Sequence, residues 1–192
     1  MARKQSSIYG SWINSLNGIA DIERIHSQIL AISMLESIVL KKKKIMKDIE
    51  IKLASANDAI KIEPIFSLYR EFYGMEKDSP GTIDFLRKRL GSNESILLYA
   101  EKNGSIIGFT QLYPTFSSAS LRKAYVLNDL YVIETERKQG IAKLLINESI
   151  EIAERDECVR ISLSTAKDNP AQTLYEKMGF KESLFKFYNY NI

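Results

Sequence analysis

The most constraining feature of the sequence is a segment in which a strand pattern is followed, after a short turn that ends in a glycine, by a helix pattern. Tyr125–Ile133 is a long apolar run, interrupted by Asn128 and Asp129, and such runs are typical of buried strands. A short polar turn follows, and Gly140 opens a helical pattern over Ile141–Ala153. The chain must therefore contain a buried strand that turns directly into a helix, as in a sheet covered by helices.

The rest of the chain also combines strand-like and helix-like segments. Asn103-Gly104 separates two strand-like segments and is a strong hairpin signal, since both residues accept positive φ. Pro64 falls inside a helical segment, where it can break or kink the helix. The order of the elements predicts a mixed sheet with helices on both faces. The predicted strands are Ile49–Ala54, Ser95–Lys102, Ser105–Tyr113, Tyr125–Ile133, Val159–Ser164 and Glu182–Tyr190, and the predicted helices are Asn57–Tyr73, Asp78–Leu90, Ile141–Ala153 and Pro170–Met178.

The first 45 residues differ from the remainder in charge and in pattern. They hold 7 Lys/Arg against 3 acids, a charge of +4, whereas residues 46–192 hold 20 against 21, a charge of −1. From Asp21 to Leu40 the apolar residues recur as in an amphipathic helix that is too short and too interrupted to span a bilayer. We predict an N-terminal extension over residues 1–45 and one domain over residues 46–192. For the extension, a docked helix, a membrane-surface role and little function are all open.

Composition narrows the classes of site and partner. Cys158 is the single cysteine and His26 the single histidine, so no internal disulfide can form and no metal site is expected. The cytoplasm is the expected compartment. Because the main domain has no basic excess, nucleic acid is not expected as a partner.

The turn after the central strand has the chemistry of an anion site. The N–H groups in the first turn of a helix have no partners inside the helix, and the helix dipole adds partial positive charge there. Arg137 and Lys138 add full charges, and Gly140 leaves room for an anion against the backbone. The turn therefore suits a diphosphate, or it is an exposed polar helix start. It matches neither the P-loop nor the three-glycine dinucleotide fingerprint.

Two segments carry a family resemblance. Arg137-x-x-Gly140-x-Ala142, after its strand, resembles the acetyl-CoA motif of the GNAT superfamily of N-acetyltransferases, and Asn169–Phe180 is similar to the other signature of that family. The resemblance covers residues 49–192. It implies an α/β fold with a mixed, mostly antiparallel twisted sheet flanked by helices, here with an N-terminal helical extension. It also implies acetyl transfer from acetyl-CoA to a primary amine by direct attack in a ternary complex. A non-catalytic acyl-CoA-binding module is the alternative.

The same resemblance implies a site for acetyl-CoA. The backbone of Leu130, Tyr131 and Val132 would pair with the pantetheine amides as an added strand, with one N–H directed at the thioester oxygen. The pyrophosphate would lie against the turn formed by Arg137, Lys138, Gln139, Gly140, Ile141 and Ala142.

Tyr175 matches the general acid of the family, which protonates the departing coenzyme A thiolate; a ring packed in the core is the alternative. Asn169 stands six residues before Tyr175, where the family has seven. Either Asn169 or Asp168 therefore occupies the family's cofactor-contacting position. Asn169 with Pro170 is also a good capping pair for a helix.

Asp129 is the best candidate for the general base that deprotonates the amine, directly or through a water; a structural role is the alternative. Asn128 stands where some polyamine acetyltransferases carry a Glu, and an amide cannot accept the proton. Strand alternation predicts opposite faces for the two side chains, so at most one is expected in the cleft.

The acceptor is the least defined part of the prediction. The stretch Phe109–Ser118 resembles the corresponding stretch of small-amine and polyamine acetyltransferases. It leaves a small-molecule amine or a protein amine as acceptor, with no membrane role favoured and a homodimer allowed. The candidate lining residues are Tyr113, Phe116 and Tyr125, and the candidate cation-attracting carboxylates are Glu71, Glu76 and Asp78; ordinary structural roles are the alternative.

Overall fold

The computed structural model describes residues 23–36, 48–190 and 192. The chain divides into two units, Met1–Lys47 and Asp48–Ile192. In the first unit, residues 23–36 form helix α1. This helix lies within the helix predicted from Asp21 to Leu40, whose two ends lie outside the described residues. Within the described part of the chain, no helix combines the length and the hydropathy that a membrane crossing needs.

The second unit follows the predicted order of elements up to its last helix. Its strands are β1 (Ile49–Leu53), β2 (Ile96–Lys102), β3 (Ser105–Ser117), β4 (Arg122–Val132) and β5 (Ile161–Ser162). Its helices are α2 (Ala59–Phe72), α3 (Ser79–Gly91), α4 (Ile141–Arg155) and α5 (Gln172–Lys177), with short 3-10 turns at Ala56–Asp58 and Glu134–Glu136. Pro64 does not break α2. Its ring is exposed, whereas the adjacent Ile65 and Phe66 are buried, and the packing of this face outweighs the lost hydrogen bond.

The five strands form one sheet in the order β1-β2-β3-β4-β5. Neighbours from β1 to β4 are antiparallel, and β5 pairs with β4 in parallel. The predicted hairpin is confirmed: Asn103 and Gly104 have φ values of 52° and 78°, and Lys102 pairs with Ser105. The mixed, mostly antiparallel sheet is therefore also confirmed.

Helices cover both faces of this sheet. On one face, Phe66 of α2 and Leu86 of α3 belong to the same buried cluster as Phe109 of β3. On the other face, Gly108 lets α4 approach closely, because a Cβ there would lie 3.3 Å from Cγ2 of Ile141. Gly108 and Phe109 are adjacent in β3 and so face opposite sides.

The predicted closing strand, Glu182–Tyr190, is wrong. No strand forms over these residues, and the side chains of Leu184, Phe185 and Phe187 are between 82% and 100% exposed. The preceding strand β5 has only two residues, shorter than the predicted Val159–Ser164. An alternating aromatic pattern favours a strand only where cross-strand neighbours are available, and so short an edge offers very few.

Candidate active site

β4 contains a bulge at its two polar residues. Gln111 of β3 pairs with Asp129, but the next residue, Leu112, pairs with Leu127, so Asn128 is an extra residue in β4. The bulge breaks the alternation, and Asn128 and Asp129 both line one cavity. The prediction that these side chains lie on opposite faces is therefore wrong, because alternation holds only where the ladder is regular.

Asp129 is a buried carboxyl group, 5% exposed, with partners on one oxygen only. The Tyr69 hydroxyl donates a hydrogen bond to Oδ1 at 2.6 Å, and Asn128 Nδ2 donates to the same oxygen at 3.0 Å. Among the described residues no donor reaches Oδ2. One carboxyl oxygen is thus held in place, and the other is available to a molecule in the cavity.

The surroundings of Asp129 set its proton affinity and those of two phenols. Burial raises the pKa of Asp129, although the hydrogen bonds from Tyr69 and Asn128 oppose the shift. Burial and the hydrogen bond to Asp129 raise the pKa of Tyr69, so that its hydroxyl keeps its proton. Burial and, to a smaller extent, the negative charge of Asp129 raise the pKa of Tyr113 to about 12. The carboxyl group is therefore the proton acceptor of this cluster, and the phenols are donors.

The cavity beside Asp129 has a volume of about 350 Å³ and is enclosed by α2, the start of α3, β3 and β4. It combines aromatic walls with one guanidinium and two carboxyl groups, which suits a small polar molecule that also has an apolar part. Its lining residues are Phe66, Arg70, Asp78, Gly81, Thr82, Phe85, Tyr113, Asn128 and Asp129.

Of the three aromatic residues predicted for the acceptor site, only Tyr113 lines the cavity. Phe116 is 77% exposed, and it lies three residues further along β3, so its side chain points to the opposite face. Tyr125 is fully buried, and its hydroxyl donates a hydrogen bond to Asp156 at the end of α4. The structure therefore places neither Phe116 nor Tyr125 at this cavity.

Of the three predicted carboxylates, only Asp78 lines the cavity. It also caps α3, since its Oδ1 accepts a hydrogen bond from Gly81 N–H at 2.9 Å. Glu71 and Glu76 are exposed and lie outside the cavity wall. The structure therefore places Asp78 alone of the three at the cavity, and a cation-attracting role stays a prediction.

β4 has a free edge from Leu127 onward, and Asp129 lies within this part of the strand. β5 pairs with β4 only at Tyr125 and Val126. From there to Val132, this edge of β4 has no strand partner in the part of the chain that the structure describes. The pairing of the two strands thus ends at Val126, and the backbone groups on this edge of β4 beyond it are available to a ligand.

The orientation of the backbone along this edge follows from the pairing with β3. Ile133 N–H donates to Ile107 O on β3 at 3.0 Å. Because successive residues of a strand turn their N–H groups to opposite edges, those of Leu130 and Val132 point to the free edge, and that of Tyr131 points to β3. The free edge can therefore hold an extended ligand by strand-like hydrogen bonds.

The turn beyond the free edge exposes backbone amides. Lys138 and Gly140 both have positive φ, 64° and 94°, and a Cβ at Gly140 would meet no atom within 4 Å. α4 begins at Ile141, and Leu144 N–H donates to Gly140 O at 3.1 Å to close its first turn. The N–H groups before Leu144 have no acceptor inside the helix, and helix starts of this kind bind anions. The predicted strand–turn–helix geometry is confirmed, and the pyrophosphate as its ligand stays a prediction.

Arg137 is held beside the free edge of β4. Its Nε donates to Val132 O at 3.0 Å, and its guanidinium lies 5.7 Å from the ring centre of Tyr131 and 5.9 Å from that of Phe72. Gln139 Nε2 donates to the backbone of the preceding 3-10 turn at 3.5 Å. The guanidinium is thus positioned where the free edge meets the turn.

Tyr175 lies in α5 and is half-buried, with its ring centre 6.0 Å from that of Phe180. Burial raises its pKa, and Tyr73 adds to the shift, so the hydroxyl keeps its proton. Asn169 Oδ1 accepts a hydrogen bond from Ala171 N–H at 2.9 Å just before α5. The capping role of Asn169 therefore has structural support, and its contact with a cofactor stays a prediction.

The sequence reasoning missed Tyr69 and Arg70. Both lie in the predicted helix Asn57–Tyr73, where they are ordinary residues of an amphipathic helix. Tyr69 reaches Asp129 across 60 positions of sequence. No spacing rule connects these two residues, because only the packing of α2 on the sheet brings them together.

Residues 62–180 match the Acetyltransferase (GNAT) family, and the chain belongs to this family. The family, the fold class and the enzyme class predicted from the sequence are confirmed. GNAT acetyltransferases generally use acetyl-CoA as the acetyl donor.

Three relatives show the extent of the similarity. The chain is 43% identical over 133 residues to an uncharacterized N-acetyltransferase, YhfO, of Bacillus subtilis (strain 168). The aligned region covers 69% of this chain and 89% of the relative. It is 30% identical over 119 residues to a probable acetyltransferase of Haemophilus influenzae, which covers 62% of this chain and 80% of the relative. The crystal structure of a probable acetyltransferase has a TM-score of 0.71 and 39% identity, with 74% of this chain and 97% of that chain covered.

Proposed function

We propose that this protein transfers the acetyl group of acetyl-CoA to a primary amine by direct attack in a ternary complex. The observation that carries the proposal is a continuous arrangement along one strand. The buried carboxyl of Asp129 and its cavity are followed by the free edge of β4, and that edge leads to the exposed amides at Gly140. An amine site, a site for an extended thioester and an anion site thus follow one another along the chain.

The residues along this edge fit acetyl-CoA, which supplies the activated acetyl group. The N–H groups of Leu130 and Val132 are the strand-like donors, and we assign one of them to the thioester oxygen. The N–H groups in the first turn of α4, which have no acceptor inside the helix, and the charges of Arg137 and Lys138 suit the pyrophosphate. Val132 O already accepts a hydrogen bond from Arg137 Nε. A ligand amide that donates to this carbonyl would therefore share it with Arg137.

Asp129 is the proposed general base. A primary amine has a pKa near 10 and is mostly protonated at neutral pH, so it must lose a proton before it attacks. Oδ2 of Asp129 is free to accept this proton in the cavity, while Tyr69 and Asn128 hold Oδ1. Because burial raises the pKa of Asp129, its carboxylate accepts a proton more readily than an exposed aspartate does.

Tyr175 is the proposed general acid, with the coenzyme A sulfur as its target. Its raised pKa keeps the hydroxyl protonated at neutral pH, as a donor must be. The residues proposed for catalysis all lie within residues 46–192, and this supports a domain over that range.

The test is release of coenzyme A thiol from acetyl-CoA in the presence of a panel of primary amines, with binding of acetyl-CoA measured separately by calorimetry. Amine-dependent thiol release, with the acetylated amine identified by mass spectrometry, is the expected result. Binding of acetyl-CoA without release for any amine would overturn the proposal and favour the non-catalytic acyl-CoA-binding module.

A further inference from the structure

The cavity beside Asp129 contains a guanidinium that forms no direct ion pair with any described residue. Arg70 lines it from α2 and is half-buried. Its only side-chain hydrogen bond among the described residues joins Nη1 to Thr82 Oγ1 at 3.4 Å, which is long, and no carboxylate of the described residues lies within 4 Å of it. A guanidinium in a partly closed cavity normally has a carboxylate or phosphate partner.

The two carboxyl groups of the cavity have different roles. Asp78 is engaged with the backbone of α3 through Gly81 N–H and keeps that helix start in place. Asp129 has a free Oδ2 and lies in the unpaired part of β4, next to Leu130. An amine that is to attack a thioester on that edge is therefore expected at Asp129, which leaves Arg70 to bind another part of the same molecule.

We propose that the acceptor is a free amino acid with an apolar side chain, with its amine at Asp129 and its carboxylate at Arg70. This inference rests on the proposed acetyl transfer. The planar guanidinium matches a carboxylate with two parallel hydrogen bonds. Phe66, Phe85 and Tyr113 supply the walls against which an apolar side chain packs.

The same features disfavour the other acceptors that the sequence left open. A polyamine has no carboxylate, so Arg70 would have no anionic partner when a polyamine was bound. A protein N-terminus has no free carboxylate beside its amine. It would also have to continue out of a cavity of about 350 Å³, a volume near the lower end for small-molecule sites.

The test compares three matched acceptors with the full chain: phenylalanine, its carboxamide, and phenethylamine, which lacks the carboxylate. We expect kcat/KM for phenylalanine to exceed that for each of the other two by about 10- to 100-fold, the usual range for a charged hydrogen-bonded contact. The same series with leucine, leucinamide and isoamylamine varies the side chain and keeps the comparison.

Two variants assign the preference to Arg70. Arg70→Met should lower kcat/KM for the amino acid to the level of the amine and leave the value for the amine unchanged within about twofold. For Arg70→Lys, kcat/KM for the amino acid should lie between the values for the wild type and for Arg70→Met, because lysine keeps the charge but lacks the paired donors of the guanidinium. Equal loss for both acceptors, with the melting temperature lowered, would mean a structural role for Arg70 and would overturn the inference.

The remaining outcomes separate this inference from the proposed function. If phenethylamine is acetylated as fast as phenylalanine, acetyl transfer stands and the amino-acid assignment is wrong. If acetyl-CoA is bound but no amine is acetylated, the proposed function fails, and the assignment of an acceptor fails with it.

Discussion

Asp129 is the position at which catalysis can be separated from folding. Asp129→Asn keeps the size and shape of the side chain, and the amide oxygen can retain the hydrogen bonds that Tyr69 and Asn128 now make to Oδ1. The amide nitrogen then takes the place of Oδ2 beside the cavity. An amide nitrogen cannot accept a proton from the amine, so the substitution removes the base and little else.

The expected loss follows from the role of a general base. Such a group contributes about 10²- to 10⁴-fold to the rate, so kcat/KM for acetyl transfer should fall by that factor. This corresponds to about 2.7 to 5.4 kcal/mol of transition-state stabilisation at about 1.36 kcal/mol for each factor of ten. Thiol release measures the loss, and the affinity for acetyl-CoA should not change.

The stability of the variant follows from the sign of the pKa shift. Burial raises the pKa of Asp129 in the folded protein, so folding favours the protonated form. This contribution is complete below the ordinary aspartate pKa and is lost as the pH rises through the raised, folded-state value. At neutral pH the wild-type protein therefore carries a buried charge that Asp129→Asn lacks, and the variant should melt at the same temperature or higher.

Asp84→Asn is the matched control, since it makes the same chemical change at an exposed position of α3 outside the cavity wall. We expect its kcat/KM to stay within about threefold of the wild-type value. A kcat/KM for Asp129→Asn within about twofold of the wild type would refute the assignment of the base. A melting temperature well below that of the wild type would instead indicate a structural role.

Three further outcomes test the surroundings of the site. Tyr69→Phe removes a hydrogen bond that lowers the pKa of Asp129, so the acidic limb of the pH profile of kcat/KM should move to higher pH. If the limb does not move, it does not report the titration of Asp129. Tyr175→Phe should lower kcat by about 10²-fold or more while calorimetry finds an unchanged affinity for acetyl-CoA, and a rate within about twofold of the wild type would exclude the acid role. Deletion of residues 1–45 should leave kcat/KM and the cooperative thermal transition of the remaining domain intact, whereas aggregated or inactive material would show that the extension belongs to the fold.

The parts of the structure that depend on local chemistry could be predicted from the sequence. The Asn103-Gly104 hairpin needs only two residues that accept positive φ, and the turn into α4 needs only a strand, a polar turn and Gly140. Asp129 could be proposed as the base because it lies within the strand that precedes that turn.

The parts that depend on packing could not be predicted. The bulge that turns the side chains of Asn128 and Asp129 to one cavity depends on the register between β3 and β4. The sequence of β4 alone does not specify this register. Tyr69 and Arg70 enter the site because α2 packs on the sheet. The segment Glu182–Tyr190 has the pattern of a strand, but in the structure it has no strand to pair with.

The central claim is that the open turn at Gly140 binds the pyrophosphate of acetyl-CoA, and two glycine variants test it against each other. Gly140 and Gly104 both have positive φ, 94° and 78°, and a Cβ at either position would meet no atom within 4 Å. Alanine should therefore cost each site a similar backbone strain, about 1 kcal/mol. We predict by calorimetry that Gly140→Ala weakens acetyl-CoA binding by about tenfold or more, because its methyl group enters the space assigned to the anion, while Gly104→Ala binds within about twofold of the wild type. Equal affinities in the two variants, with the same loss of stability, would contradict the account.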